Sequence, residues 1–212
     1  MTGKFITIEG IEGAGKTSAM HFIEGYLLSQ RINLLSTREP GGTKMAEAMR
    51  KILLASYSEE TVMPETELLL MFACRCQHLS QVIRPALKNG RWVVSDRFVD
   101  ASYAYQGGGR QMSLEPIAWL DKWIVNDTQP DLTILLDVPP ELGLLRAKIR
   151  GPKDRIEQEK KSFFTRAREK YLFRAEQFPE RFVIINAALP PDLVNAAIEE
   201  QLAMFVERNH VT

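Results

Sequence analysis

Two rhythms of apolar and polar residues alternate along this chain. Short runs rich in β-branched and aromatic residues, such as Phe5-Ile6-Thr7-Ile8, recur at 4–9, 33–37, 91–97, 131–138 and 181–186, and each predicts a buried strand. Between them the apolar positions fall three and four residues apart. The first such stretch, 18–30, puts Met20, Phe22, Ile23, Tyr26 and Leu27 at helical spacing. Helices are likewise predicted over 45–54, 65–89 and 114–125, from Pro139-Pro140 onward, and over 157–177 and 191–208. Pro85 is expected to kink the long stretch 65–89. Strands alternating with helices through right-handed crossovers predict a five-stranded parallel sheet flanked by helices, an α/β three-layer sandwich. At 212 residues the chain is expected to form a single domain, 1–212, and no internal repeat or low-complexity segment interrupts it.

The first strand runs directly into Gly10-Ile11-Glu12-Gly13-Ala14-Gly15-Lys16-Thr17, and a helical pattern follows at once. A glycine-rich turn joining strand to helix is the bland reading. The full eight-residue pattern in strand, loop and helix order points instead to a phosphate-cradling loop of the P-loop NTPase type. Glycines at 10, 13 and 15 let successive N–H groups face phosphate oxygens, and the helix adds the positive end of its dipole. Lys16 can then reach the β and γ phosphates, and the Thr17 hydroxyl can join a Mg²⁺ shell.

Other strand ends carry chemistry at the same sheet edge, where ligands of open parallel sheets bind. Arg38-Glu39-Pro40-Gly41-Gly42 follows the second strand; an exposed ion pair is possible there, but a grip on a second phosphate fits the position better. Arg50 follows twelve residues after Arg38. On the stretch 65–89, Glu67, Met71, Arg75 and His78 share one face with Phe72 beside them, which read alone is a core or subunit-interface helix. The third strand ends in Asp96-Arg97, where a carboxylate associated with Mg²⁺ is expected. Ser102 to Arg110, with Tyr105, Gln106 and three glycines, suits hydrogen bonding to a polar ring and close backbone approach. In 146–157, five of twelve residues are basic around Gly151-Pro152, which predicts a short flexible lid over the triphosphate rather than a solvated helix face.

Composition narrows the partners. Lys plus Arg and Asp plus Glu are both 27, so no global charge favours a nucleic-acid polymer or a membrane surface. Cys74 and Cys76 are badly placed for a disulfide, no apolar run is membrane-length, and no secretory segment is evident, so a reducing cytoplasm is expected. A metal site at Cys74, Cys76 and His78 lacks a second cluster, and core-facing thiols are the expectation.

Taken together, these stretches resemble the thymidylate kinase (dTMP kinase) family, bacterial type with a basic lid, over nearly the whole chain. The phosphate loop alone marks a superfamily. Thr37-Arg38-Glu39-Pro40-Gly41-Gly42-Thr43, Asp96-Arg97-Phe98 and Ala104-Tyr105-Gln106-Gly107-Gly108-Gly109-Arg110 make the likeness specific. The resemblance implies transfer of the γ-phosphoryl group of ATP to dTMP for dTTP synthesis, with Mg²⁺ as cofactor, in a homodimer. It assigns residues 10–17 to ATP, Thr17 and Asp96 to the metal, and Arg38 and Arg97 to the dTMP phosphate. Glu12 would approach the sugar 3′-hydroxyl, Tyr105 would crowd the 2′ position, and Arg50 and Arg75 would line the acceptor pocket. Ser102 and Gln106 would meet the pyrimidine edge. In the family a Phe four residues before the pocket Arg stacks on thymine; here Met71 stands there and Phe72 follows, leaving either to make that contact. Some relatives carry a catalytic Arg where this chain has Gly13, so Arg150 of the lid becomes the candidate for charge on the transferred group, with Arg146, Lys148 and Arg155 behind it. Kinases for other nucleotides or nucleosides, and a nucleotide-dependent switch, are the competing classes.

Overall fold

The structure, a computed structural model, describes residues 3–150 and 154–209, the side chain of Arg150 apart. Five parallel strands stand in the order β2-β3-β1-β4-β5: β1 Phe5–Glu9, β2 Leu34–Arg38, β3 Trp92–Asp96, β4 Leu132–Asp137 and β5 Phe182–Asn186. With β1 central, β3 pairs on one side and β4 on the other, so β1 delivers its loop at the point where the chain's crossovers diverge. Each strand alternates its side chains between two faces. Ile6, Ile8, Trp92 and Val94 pack with α1 (Lys16–Ser29), α8 (Lys161–Gln177) and α9 (Pro191–Asn209). Phe5 and Val93 point the other way, into a second cluster built with α3 (Pro64–His78) and α6 (Leu114–Leu120).

Local chemistry sets the remaining helix ends. Thr43 caps α2 (Lys44–Leu54), its hydroxyl accepting from the Ala46 N–H at 3.1 Å. Proline opens α3, α7 (Pro140–Arg150) and α9, where its missing N–H costs nothing.

The stretch 65–89 is a continuous helical run as expected, with its irregularity ahead of Pro85: α3 passes at His78 into a π-helical turn, Leu79–Ile83, and on into α4, Arg84–Lys88. Pro85 cannot donate to the ladder, and the wider turn ahead of it absorbs the missing bond. Ser102 to Arg110 is largely helical as well, with α5 (Val99–Ser102) passing into a π-helical turn at Tyr103–Gly109. A Cβ at Gly108 would strike Arg166 and Lys170, and one at Gly109 would strike Phe163, so these glycines serve close approach to α8. The expectation of core-facing thiols needs correction: Cys74 is buried but Cys76 is exposed, since two residues on a helix are 200° apart and cannot both face the core.

Candidate active site

The C-terminal edge of the sheet opens into a cavity of about 510 Å³ floored by residues 12–19. Gly13, with φ 71°, shows why this loop needs glycine there: a Cβ would run into the Gly143 carbonyl at the start of α7, so a larger residue would have to push that helix away. Gly10 and Ile11 lie beneath the floor rather than in it, and their carbonyls accept from the Lys16 ammonium at 2.9 and 3.0 Å. Burial, and then the charge of Arg97, lowers Lys16 to about 8, against the pull of Asp96, Glu12 and Glu9.

Opposite this floor stands a group of arginines fixed by carboxylates. Arg97 has a left-handed backbone, φ 70°, uncommon for a residue with a side chain. Its guanidinium donates to Glu12 at 2.8 Å and lies 4.5 Å over the Tyr105 ring. The Tyr105 hydroxyl donates to the other Glu12 oxygen at 2.7 Å. Burial opposes the Arg97 charge, but Tyr105, Glu12, Tyr171 and Asp96 outweigh it and hold the group above its ordinary range. Arg38 reaches the cavity from the end of β2, paired with Glu47 at 2.9 Å, and Arg50 donates to the Pro40 carbonyl at 2.7 Å. Burial, and then Arg38, lowers Arg50 from its usual value.

Deeper in the cavity lies Arg75, only 2% exposed, and so large a buried cation requires full pairing. It donates to Glu39 at 2.8 Å, to the Ser102 hydroxyl at 3.0 Å and to the Phe98 carbonyl at 3.0 Å. The same Glu39 also bonds His78, which is thereby a buried structural partner rather than a metal ligand. Met71 and Ser102 line this wall. Phe72 does not: it turns into the second core cluster, with the Arg75 guanidinium 4.5 Å above its ring. Gln106 is also off the wall, fully buried and donating to Glu67 at 2.8 Å. The Glu67 carboxylate, an acceptor only, captures the amide that was expected to meet a base.

Thr17 and Asp96 both face the cavity. One Asp96 oxygen is buried without a hydrogen-bond partner, and together with the Thr17 hydroxyl, also in the cavity lining, it makes an oxygen donor set that fits a hard cation such as Mg²⁺. Among the described residues no cluster of three His, Cys, Asp or Glu could hold a metal unaided.

The stretch expected to form a flexible lid is instead helical in its first part, since α7 continues to Arg150. The Arg150 side chain and residues 151–153 lie outside the described residues. Arg146 lines the cavity and donates to the Ala187 carbonyl at 2.7 Å, in the segment after β5. Lys148 is exposed and off the wall. Arg155 is clasped elsewhere, pairing with Glu67 at 2.8 Å and donating to the Leu53 carbonyl. Asp154, Ile156 and Glu157, within the stretch expected to cover the site, line the cavity.

Sequence reasoning also passed over Glu9, fully buried, which accepts from the Phe98 N–H at 2.7 Å and the Tyr171 hydroxyl at 2.6 Å. Burial, and then Asp100, pushes it up to about 8, while Tyr171 and Arg97 pull down. The signal was available: an acid closing an apolar strand, the pattern that singled out Asp96, also occurs at Glu9.

A glycine-rich loop on the central strand, sharing one cavity at the sheet edge with Arg38, Arg50, Arg75 and Arg97, defines a P-loop NTPase fold. Comparison with known proteins narrows the class. The family model described as Thymidylate kinase matches residues 8–198. A thymidylate kinase of Pseudomonas entomophila is 51% identical over 208 residues, covering 98% of this chain and 99% of that one. A thymidylate kinase of Vesicomyosocius okutanii is 55% identical over 186 residues, 88% of this chain and 90% of its own. The crystal structure of thymidylate kinase from Ehrlichia chaffeensis, 30% identical, superposes with a TM-score of 0.77 over 96% of this chain and 100% of that one. The chain belongs to the thymidylate kinase family.

Proposed function

We propose that the chain transfers the γ-phosphoryl group of ATP to dTMP, releasing dTDP for dTTP synthesis and ADP. The observation that carries the reading is the shared cavity: Lys16 and the phosphate loop stand on one side, Arg38 and Arg97 on the other. A nucleoside kinase would need no cations for an acceptor phosphate, and a nucleotide switch would need no second set at all.

Phosphoryl transfer asks mainly for positioning and for stabilisation of charge on the moving group. Residues 12–17 and Lys16 hold the triphosphate, and Arg38 and Arg97 hold the acceptor phosphate. A Mg²⁺ ion, held by Thr17 and Asp96, would neutralise phosphate charge during transfer. Glu12 is fixed between Arg97 and Tyr105, which suits it to the sugar 3′-hydroxyl and leaves the Tyr105 ring to crowd a 2′ substituent. Arg75 and Ser102 serve the base edge, Met71 its face, and Arg50 the acceptor rim. Arg150 is assigned to the transferred group, in place of the loop arginine that Gly13 excludes.

No described helix is long and apolar enough to cross a membrane, and the reading places the enzyme in the cytoplasm. A homodimer is part of it as well: Trp119, Trp123 and Leu69 are 60%, 67% and 60% exposed, an apolar display that a second copy would cover. Analytical ultracentrifugation checks this, a monomer at micromolar concentration being the adverse result. The activity is tested by coupled ADP release on adding dTMP, dUMP, dCMP, thymidine or water. Release with dTMP far above the rest is expected; equal release with water would mean a hydrolase or switch.

A further inference from the structure

Arg97 occupies an unfavourable backbone conformation, and something must hold it there. A residue with φ near +70° persists only where its surroundings over-determine it. Three hydrogen bonds surround the turn. The Arg97 N–H donates to the Ile8 carbonyl at 2.9 Å, and the Ser95 hydroxyl donates to the Arg97 carbonyl at 2.8 Å. The third is the Phe98 N–H, which donates to Glu9 Oε1 at 2.7 Å.

Glu9 does more than close the turn. Its second oxygen, Oε2, accepts from the Tyr171 hydroxyl at 2.6 Å, and that hydroxyl in turn accepts from Arg97 Nη1 at 3.4 Å. The carboxyl group is fully buried and does not reach the cavity, so it is not a ligand for either substrate. Packing does not explain it, because a carboxyl group in this position is costlier to bury than a Leu or Met of similar length. Around it stand Arg97 and Asp100 from the β3–α5 segment, Tyr171 from α8, and Lys16 across the loop, with Asp100 itself held by Arg174 and Arg181 at 2.9 and 2.8 Å.

We propose that Glu9 is a positioning residue for Arg97, one oxygen pinning the backbone turn from which the guanidinium springs and the other steadying its tip through Tyr171. Both ends of one side chain are thus fixed from a single buried group on the central strand. The proposal rests on the reading that Arg97 holds the acceptor phosphate. It adds that Arg97 depends on β1, the strand that also delivers the phosphate loop, so the two substrate-binding halves share one anchor.

The test is a graded series assayed for kcat, for KM of both substrates and for thermal melting. Glu9→Leu removes both contacts, and kcat is expected to fall about 10²-fold, the scale of an ångström-sized misplacement of a reacting group, with the KM for ATP unchanged. Glu9→Gln keeps an acceptor for the Phe98 N–H, and Tyr171→Phe loses only the tip contact, so each is expected to lose roughly fivefold, the scale of one hydrogen bond. If the Leu variant does not fold, these two carry the test. The decisive measurement is the double variant: adding Glu9→Gln to Arg97→Ala should cost almost nothing further, because the group it positions is gone. Full additivity, or wild-type kcat in both Glu9→Gln and Tyr171→Phe, overturns the proposal. Near-normal turnover in Arg97→Ala alone would instead sink the assigned role of Arg97, which keeps the two failures apart.

Discussion

Around Lys16 the cavity wall is mainly main chain; around Arg38, Arg75 and Arg97 it is side chains tied to one another. On the proposed reading, the ATP side uses contiguous residues, 12–17, on a loop whose glycines at 13 and 15 hold left-handed backbones. The dTMP side draws Arg38, Arg75, Arg97 and Ser102 from four elements and fixes them through carboxylates: Glu47 for Arg38, Glu39 for Arg75 and Glu12 for Arg97. Main-chain donors are set by folding alone. Side-chain donors must be set by further side chains, so the acceptor half carries an ionic scaffold, buried at Arg75–Glu39, largely so at Arg97–Glu12 and exposed at Arg38–Glu47, that the donor half does without. The cost is vulnerability, since removing one member of a buried pair strands the other.

The largest effect is expected from a group that belongs to neither half. Arg150→Ala should lower kcat about 10³-fold or more, as loss of an arginine that stabilises transferring charge does, while dTMP affinity by calorimetry stays near wild type. Near-normal turnover would move that role to Arg146, a lid arginine that lines the cavity among the described residues. Next in size is Glu39→Gln, aimed at the scaffold itself. Gln keeps the shape but leaves the buried Arg75 with only neutral partners, the Ser102 hydroxyl and the Phe98 carbonyl, so about 3–5 kcal/mol of stability should be lost, the scale of a buried pair broken on one side. The dTMP KM should rise more than the ATP KM. Equal rises would mean that the two halves are not separately supported.

How much of this could be read from the chain follows the same division. The phosphate loop was visible because its chemistry is contiguous and its spacing is dictated by the phosphates. The five strands and their parallel pairing were visible because apolar runs and helical periods alternate cleanly, whereas their order in the sheet was not. Arg38, Asp96 and Arg97 stood at strand ends, and strand ends share one edge. What stayed hidden depends on rotation and pairing. Whether Met71 or Phe72 faced the cavity turned on a single 100° step around α3, and Gln106 was drawn off the wall by Glu67, which lies 39 residues away in sequence. The 102–110 glycines suggested an approach to a ligand, yet Gly107 makes room for α6 and Gly108 and Gly109 for α8, and composition alone cannot distinguish the two.

A pH series sharpens the comparison without any substitution. Lys16 sits at about 8, lowered chiefly by burial, whereas Arg97 is held above the ordinary arginine range. The charged lysine is the form that meets the triphosphate, so raising pH through 8 empties the ATP side of its cation while the acceptor side keeps its own. From about pH 7 to about pH 9, kcat/KM for ATP should fall roughly tenfold, and dTMP affinity measured without ATP should hardly move. In a Lys16→Arg variant the fall should vanish, whatever the absolute rate. A parallel loss of dTMP affinity would place the titrating group on the acceptor side instead, where Glu9, raised to about 8 chiefly by burial, is the candidate.

Arg155→Ala probes the outer edge of the acceptor scaffold and is expected to do least. Arg155 bonds Glu67 at 2.8 Å and the Leu53 carbonyl at 3.1 Å, and its own N–H reaches the Leu54 carbonyl, so it straps the segment after residue 153 to the end of α2. Glu67 is fully buried, and stranding it would be expensive. It is not stranded, however, because Arg110 holds both of its oxygens at 3.2 and 3.0 Å and Gln106 donates to one of them. With those partners left in place, the loss should be about 1–2 kcal/mol, one charged hydrogen bond rather than a broken ion pair. For a chain of this size that is a fall of a few degrees in Tm. The cavity-lining residues Asp154 and Ile156 are set by this strap, so the dTMP KM should rise by a small factor while the ATP KM stays put. If Arg110→Ala were added, Glu67 would lose its second cation and the penalties should exceed their sum. Simple additivity would mean that each arginine holds its own piece of structure, and that the acceptor half is a set of separate pairs rather than a connected scaffold.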